Sequence, residues 1–285
     1  MILVVGATGS LGRKITAELL TRGEEVRVLV RPGSAAAPIS STAVATGDLL
    51  DRDSLERACA GVLTVVTTAS VSKTGTDTIE NVDLAGNQNL IAAARRAGVE
   101  HFVFTSTLSA SEHSPVPLFR VKAVVERILR ESEMAHTILQ PNAFMDVWFP
   151  MLIESAAFSG QPVTLVGQST HRHAFIAERD LAAFAAAAVF TPAARNSTLV
   201  LGGPDAVTLR DVVAAYERAG GKPIPIRSVA PGEPIPGVPQ SVWGLAASLE
   251  MFDSPVPMDE NRNTYGVTLT SIDDFARARV AATAA

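Results

Sequence analysis

The chain opens Met1-Ile2-Leu3-Val4-Val5-Gly6-Ala7-Thr8-Gly9-Ser10-Leu11-Gly12-Arg13, and this stretch decides the fold. Ile2 to Val5 is an unbroken apolar run, which reads as a short strand buried on both faces, the kind found in parallel sheets. Three glycines follow at once, Gly6, Gly9 and Gly12. Arg13 to Arg22 then carries apolar residues at Ile15, Leu19 and Leu20, a helical spacing. A second apolar run, Val26-Arg27-Val28-Leu29-Val30, predicts a strand ending at Arg31. Strand, glycine turn, helix, strand is the first unit of a dinucleotide-binding fold.

Each glycine has its own mechanical task. Gly6 lets the chain turn sharply off the strand, Gly9 lets the backbone approach a pyrophosphate, and Gly12 lets the helix pack closely on the sheet. The free N–H groups and the positive dipole end of the helix then face the phosphates. Gly6, Thr8, Gly9, Ser10, Leu11 and Gly12 are the expected cofactor cradle. A tight strand-to-helix turn without a ligand would use the same glycines.

A chain of 285 residues suits one large α/β domain or a domain with a smaller lobe. Hydrophobic residues make up 47% and charged residues 19%, ordinary values for a globular protein. The net charge of −5 argues against a nucleic acid or an anionic membrane as partner. The single cysteine, Cys59, allows no internal disulfide and fits a reducing compartment. It falls within an amphipathic helix, where a buried structural thiol is expected. The chain starts directly on a strand with no basic leader, and its longest apolar run, Leu181 to Phe190, is too short to cross a bilayer. A cytoplasmic enzyme acting on a small molecule, as monomer or homodimer, is the expectation.

The end of the second strand bears on cofactor type. NAD sites place Asp or Glu there, and NADP sites place Arg. This chain has Arg31-Pro32-Gly33-Ser34, while Glu24 and Glu25 lie at the opposite end of the strand. Arg31, with Arg13 as a second cation, predicts NADP(H); the other reading of Arg31 is a solvated surface charge. Residues 35 to 42 read as a loop and Thr42 to Thr46 as a third strand. Gly47 to Leu55 opens a helix with Asp51 or Asp53 as N-cap. Val62 to Thr68 is a fourth strand, so Thr68, Ala69 and Ser70 should lie beside the ribose and phosphates. Asp77 to Ala97 reads as one long helix with Val82, Leu84, Leu90, Ile91 and Ala94 inside, ended by Gly98. His101 to Thr107 is the next strand.

The Gly-x-x-Gly-x-x-Gly spacing resembles the short-chain dehydrogenase/reductase superfamily in its extended and atypical branches. Asn81 to Ala94 and His101 to Thr107 look like the corresponding helix and strand of extended members. On that resemblance Asp48 and Leu49 sit over the adenine; Asp48 could equally be a turn residue. Classical members carry Tyr-x-x-x-Lys, but here Lys122 ends Leu118-Phe119-Arg120-Val121-Lys122, so Leu118 stands where the tyrosine would be. Lys122 to Leu129 continues as a helix with Glu126, and His136 to Met145 carries Thr137-Ile138-Leu139-Gln140-Pro141-Asn142. That pattern resembles the NmrA-like family of quinone oxidoreductases, triphenylmethane reductase, isoflavone-reductase-like enzymes and redox-sensing regulators. The resemblance covers residues 1 to about 190 well and the remainder loosely. It implies a Rossmann-type parallel sheet with helices on both faces over residues 1–150, with 171–190 returning to it. The remaining part, 151–285, would be mainly a smaller substrate-binding lobe. It also implies a nicotinamide held near Thr105, Thr107, Lys122, Pro141, Asn142 and Phe144. Lys122 could hydrogen-bond the ribose, donate a proton if burial lowers its pKa, or merely snorkel at a helix start.

The segment Phe144-Met145-Asp146-Val147-Trp148-Phe149 is rich in aromatic side chains. With Thr107, Phe144 and Trp148 could line a flat apolar substrate pocket; core packing is the alternative. Gly160 to Gly167 reads as turn and strand. His171 to Ile176 reads as a strand with both histidines on one face, but no third ligand completes a metal site. Asp180 opens the helix Leu181 to Phe190. Thr198 to Leu201 is a strand and Thr208 to Ala219 a helix. Pro223 to Pro239 holds six prolines, which argues against a regular element. Ser241 to Phe252 is a helix, Asp253 to Tyr265 a loop, and Thr270 to Arg279 a helix capped by Thr270 or Ser271. Two functions fit: an NADPH-dependent reductase of a planar apolar acceptor such as a quinone, and a non-catalytic dinucleotide sensor that binds a partner protein. Sugar-nucleotide epimerisation relies on the absent tyrosine.

Overall fold

The computed structural model describes residues 1–34, 39–71 and 77–284, so half of the 35–42 stretch and residues 72–76 lie outside the described residues. The chain divides into two compact units. The first holds Met1–Pro141, Leu181–Val200 and Asn263–Val267; the second holds Asn142–Asp180, Leu201–Arg262 and Thr268–Ala285. The break between them follows Pro141, and Leu181–Val200 and Asn263–Val267 return to the first unit.

The first unit is built on a seven-stranded sheet. In chain order its strands are β1 (Ile2–Val5), β2 (Val26–Val30), β3 (Ala43–Thr46), β4 (Thr64–Thr67), β5 (His101–Thr105), β6 (Ala135–Pro141) and β8 (Ser197–Leu201). They lie in the order β3-β2-β1-β4-β5-β6-β8. The pairs from β3 through β6 all run parallel. The order reverses between β1 and β4, which makes their carboxyl ends the switch point where ligands of such sheets bind.

Alternation along each strand covers both faces. Leu3 and Val5 join Val65, Phe102 and Phe104 in one cluster, with Leu55, Leu90, Val125 and Leu129 packed on them. Val4, equally buried, points the other way. The covering helices are α1 (Ser10–Thr21), α2 (Arg52–Cys59), α3 (Asn87–Arg96) and α4 (Pro117–Arg130). Of the two aspartates at the start of α2, Asp51 is the cap: its Oδ1 accepts from the backbone N–H groups of Asp53 and Ser54. Cys59 ends α2, and burial pushes its thiol up to about 11.

The expected single helix from Asp77 to Ala97 is two structures. Thr78 and Asn81 form a capping box. A π-helix over Ile79–Gly86 follows, then α3. The wider π-helical ring brings Asp83 and Asn87 inward, both fully buried, while Val82 and Leu84 stay half-buried.

The second unit contains α5 (Met145–Phe149), a π-helical turn at Pro150–Glu154, α6 (Ser155–Phe158), β7 (Val163–Val166) and α7 (Glu178–Phe190), whose later turns belong to the first unit. Then come α8 (Leu209–Gly220), β9 (Ile226–Val229), α9 (Gln240–Ser248), α10 (Asp259–Tyr265) and α11 (Ile272–Ala284). The π turn sits where Pro150 removes a backbone donor from an otherwise continuous helix. Phe149 is the centre of this core, with ring centroids 5.1 Å from Phe175 and 5.5 Å from Phe275. The buried carboxylate of Glu154 accepts the hydroxyl of Tyr216 and a bidentate pair from Arg279, at 2.9 and 2.6 Å.

Three expectations for this unit are corrected. The proline-rich segment does contain a strand: β9 pairs in parallel with β7, in the gap between Pro225 and Pro231 where every residue keeps its N–H. The stretch 253–265 is not all loop, because Asp259 and Glu260 start α10, placed favourably at its positive end. His171 to Ile176 forms no strand. The N–H groups of His173, Ala174 and Ile176 donate to Val207, Ser254 and Ala143, three separate segments, so no ladder builds. The last helix is capped by Ser271, whose Oγ accepts from the N–H of Asp274.

Candidate functional site

The glycine turn is dictated by the sheet beneath it. Gly6 has a φ of +83°, and a Cβ there would stand 2.5 Å from Oγ1 of Thr68 at the end of β4. A Cβ on Gly12 would stand 2.2 Å from the carbonyl oxygen of Gly6. Neither position accepts alanine. Gly9 differs: its Cβ would meet only that same oxygen, at 3.3 Å. The chain's own packing thus demands two glycines of the three, and the middle one leaves its backbone bare.

The start of α1 has the chemistry of an anion site. Gly9 offers no side-chain cap, and no acidic residue occupies the first turn. Two cations stand there instead: Arg13 Nε donates to the Thr8 carbonyl at 3.2 Å, and Lys14 Nζ to Ser10 Oγ at 2.8 Å. A glycine N-cap with no side-chain acceptor, a positive dipole end and no acidic residue in the first turn suit a phosphate. Leu11 lies in the same turn, partly exposed.

At the end of β2, Arg31 is exposed and ion-paired with Asp77 at 3.0 Å. Asp48 is a turn residue, its Oδ1 accepting from the Leu50 N–H at 2.8 Å. The Leu49 side chain packs where Gly86 has no Cβ, and its carbonyl accepts from Asn89 Nδ2.

Lys122 is no snorkelling surface residue. Its residue exposure is 4%. Its Nζ lies 3.2 Å from Asp83 Oδ1, donates to the Thr105 carbonyl at 3.1 Å, and sits 5.0 Å from the centre of the Phe104 ring. Burial pulls its pKa below the usual lysine range, against the opposing pull of Asp83 and Glu126. Asp83 reaches further. Its Oδ1 accepts the Ser70 hydroxyl at 2.6 Å and its Oδ2 the Val71 N–H at 2.8 Å. Asn87 braces the same turn through the carbonyls of Val82 and Asp83. Ala69 is buried, with its N–H on Thr67 Oγ1.

The neighbouring strand ends are equally polar. Among the described residues, the buried hydroxyl of Thr105 has no hydrogen-bond partner, a buried vacancy for a donor or acceptor that a ligand could satisfy. Thr107 donates to the Leu108 carbonyl, and the Leu108 N–H to that of Pro141. Buried Glu126 accepts from the Ser106 hydroxyl, from Gln140 Nε2 at 2.9 Å and from Arg130 at 3.0 Å.

The expected residues from Gly6 to Pro141 all belong to the first unit, with Ser10, Leu11 and Gly12 in α1 and Lys122 in α4. Asn142, Phe144 and Trp148 belong to the second unit. The Asn142 amide is engaged there, with Nδ2 donating to the carbonyl and hydroxyl oxygens of Ser254 and Oδ1 accepting from Ala143. Trp148 is a core residue, 8% exposed and packed with Met145, Phe149 and Leu152. Phe144 alone of the aromatic pair keeps a partly open side chain. His171 bonds Asp253 and His173 bonds Ser254 and Leu249. Among the described residues no three His, Cys, Asp or Glu side chains group to hold a metal, and no helix is long and apolar enough to cross a membrane.

Sequence reasoning missed Asp83, Asn87, Ser106 and Glu126. A signal was present: residues 83, 87, 90 and 94 share one helical face, so two polar side chains stood on the buried stripe.

The NmrA-like family model matches residues 1–261. A photosystem II assembly factor, Ycf39 of Cyanophora paradoxa, is 33% identical over 78% of this chain and 69% of its own. An NAD(P)H azoreductase of Xenophilus azovorans is 31% identical over 79% of this chain and 75% of its own. Among solved structures, the Escherichia coli NADPH-dependent quinone oxidoreductase in complex with NADPH superposes with a TM-score of 0.76 at 22% identity, over 98% of this chain and 99% of the other, and so shares the fold.

Proposed function

Because the chain belongs to the NmrA-like family, we propose that it is an NADPH-dependent oxidoreductase acting on a planar, apolar acceptor of the quinone or azo class. The observation that carries this reading is the bare Gly9 at an uncapped helix start beside the switch point of the sheet. The relatives support a nicotinamide cofactor and reductive chemistry: one is an NAD(P)H azoreductase, and a fold neighbour is an NADPH-dependent quinone oxidoreductase.

In this reading Gly6, Thr8, Gly9, Ser10, Leu11 and Gly12 hold the pyrophosphate. Arg31 takes the 2′-phosphate, Asp48 and Leu49 flank the adenine, and Thr68, Ala69 and Ser70 border the ribose. Thr105, Thr107 and Pro141 border the nicotinamide half, and Asn142 and Phe144 are further cofactor residues of this reading. The bound cofactor supplies a hydride. Lys122 Nζ, held charged by Asp83, offers a proton or a hydrogen bond to the nicotinamide ribose. Its lowered pKa makes that proton easier to release than one on a surface lysine. No tyrosine is needed when the reduced acceptor can also take protons from water. Phe144 offers the aromatic face for a flat ring.

Steady-state oxidation of NADPH with a panel of quinones and azo dyes tests this. Turnover with at least one planar acceptor is expected; binding of NADPH with no acceptor reduced would overturn it. The resemblance to an assembly factor favours a second reading, a dinucleotide-binding protein that engages a partner. It predicts the opposite result, together with retention of a partner protein in only one redox state of the cofactor.

A further inference from the structure

We infer that Asp83 is a positioning residue that couples two parts of the candidate site, holding the Lys122 ammonium in its charged form while anchoring the loop that follows β4. This rests on the reading of the cradle as an NADPH site.

Asp83 has no exposed surface and Lys122 almost none. A buried carboxylate survives only where its oxygens are paired or hydrogen-bonded. Here the two oxygens divide the work. Oδ1 takes Lys122 at 3.2 Å and Ser70 at 2.6 Å; Oδ2 takes the Val71 N–H at 2.8 Å. Ser70 and Val71 continue directly from the strand end at the switch point, so one carboxylate ties the ammonium to the loop.

The groups facing Lys122 can be named. The π-helix contributes Asp83, α4 contributes Glu126 one turn on, and β5 contributes the Thr105 carbonyl and the Phe104 ring. Glu126 is already matched by Arg130, Gln140 and Ser106. Asp83 is thus the carboxylate in direct contact with the ammonium. Without it, desolvation acts nearly unopposed and the neutral amine gains.

The test reads pH and KM separately. In the parent protein, kcat/KM for NADPH should fall on the alkaline side as Lys122 loses its proton. Asp83→Asn should move that limb to lower pH by about one unit or more, and Asp83→Glu should restore it in part. Ser70→Ala, which removes one donor from Asp83 Oδ1 and keeps the carboxylate, should raise KM for NADPH about fivefold, the value of one hydrogen bond, and move the limb far less than Asp83→Asn does. Should Asp83→Asn fail to fold, Lys122→Arg reads the same point: a guanidinium stays charged, so the limb must vanish. A limb unmoved in Asp83→Asn, a limb persisting in Lys122→Arg, or a parent KM in Ser70→Ala overturns the coupling while the NADPH reading stands. A parent protein that does not bind NADPH, measured by quenching of its fluorescence, overturns both.

Discussion

One nitrogen of Arg31 serves both oxygens of Asp77: Nη1 donates to Oδ1 at 3.0 Å and to Oδ2 at 3.1 Å. The guanidinium at the end of β2 is therefore already matched by an anion, and a 2′-phosphate must compete with it. Arg31→Ala should lose about ten- to hundredfold in NADPH affinity, a charge-assisted hydrogen bond, with little change for NADH. Asp77→Asn should tighten NADPH by no more than about fivefold, since an exposed pair is worth up to about 1 kcal/mol. Calorimetric titration of both cofactors against the two variants checks each value.

Lys122 is expected to matter for folding as well as turnover. Replacing it with methionine strands the Asp83 carboxylate in the interior, a loss of about 3–5 kcal/mol. The Lys122→Met/Asp83→Asn double variant should recover much of the melting temperature and none of the activity. Parallel thermal melts and NADPH oxidation assays separate the two effects. A single variant that melts with the parent would mean that the pair contributes nothing to stability.

Phe144 and Trp148 should part company. Phe144, partly open, should raise KM for planar acceptors when cut to alanine, with the melting temperature little changed. Trp148→Ala should instead cost about 3–5 kcal/mol of stability, as a buried aromatic does. Kinetics with quinones and denaturant unfolding of both variants distinguish the roles.

His101 makes stability depend on pH. Burial, with lesser contributions from Arg195 and His136, holds its pKa down at about 4 against an ordinary 6.5. Its Nε2 is 2.9 Å from Thr137 Oγ1, and its Nδ1 has no partner among the described residues. The unfolded chain binds the proton first, so stability is complete above about pH 6.5 and falls as pH drops toward 4, by about 3 kcal/mol at most. Melting curves across that window should show the fall, and His101→Gln should flatten it.

Most of the first unit could be read from residue pattern. Apolar runs of strand length and glycines at fixed offsets are local signals, and β1, α1, β2, β4 and β5 all carry them. What escaped was what depends on distant partners. Asp83 stood on the buried stripe with Asn87, but its partner Lys122 lies far along the chain and helical periodicity cannot name it. β9 hid among prolines because a strand of four residues is defined by its neighbour β7. Trp148 sat in an aromatic segment whose pattern suits a pocket wall and a core alike, and only packing by Phe149, Leu152 and the rest of the second core decides between them. For Arg31 the sequence revealed the charge but not its match to Asp77.

The π-helix before α3 can be regarded as a phase shifter. An α-helix turns about 100° per residue, so a continuous one from Ile79 would present residues 83 and 90 at fixed relative angles. The wider ring at Ile79–Gly86 delays that rotation, letting one helix offer carboxylate and amide to the strand ends and then Leu90, Ile91 and Ala94 to the sheet. Removing one residue, such as Ala85, would let the backbone relax to ordinary pitch with its hydrogen bonds intact. The length of the helix would hardly change, but the wide ring that holds Asp83 and Asn87 inward together would be lost. The site's geometry therefore rests on a counting property of the chain, one that no substitution scan would detect and a single-codon deletion would.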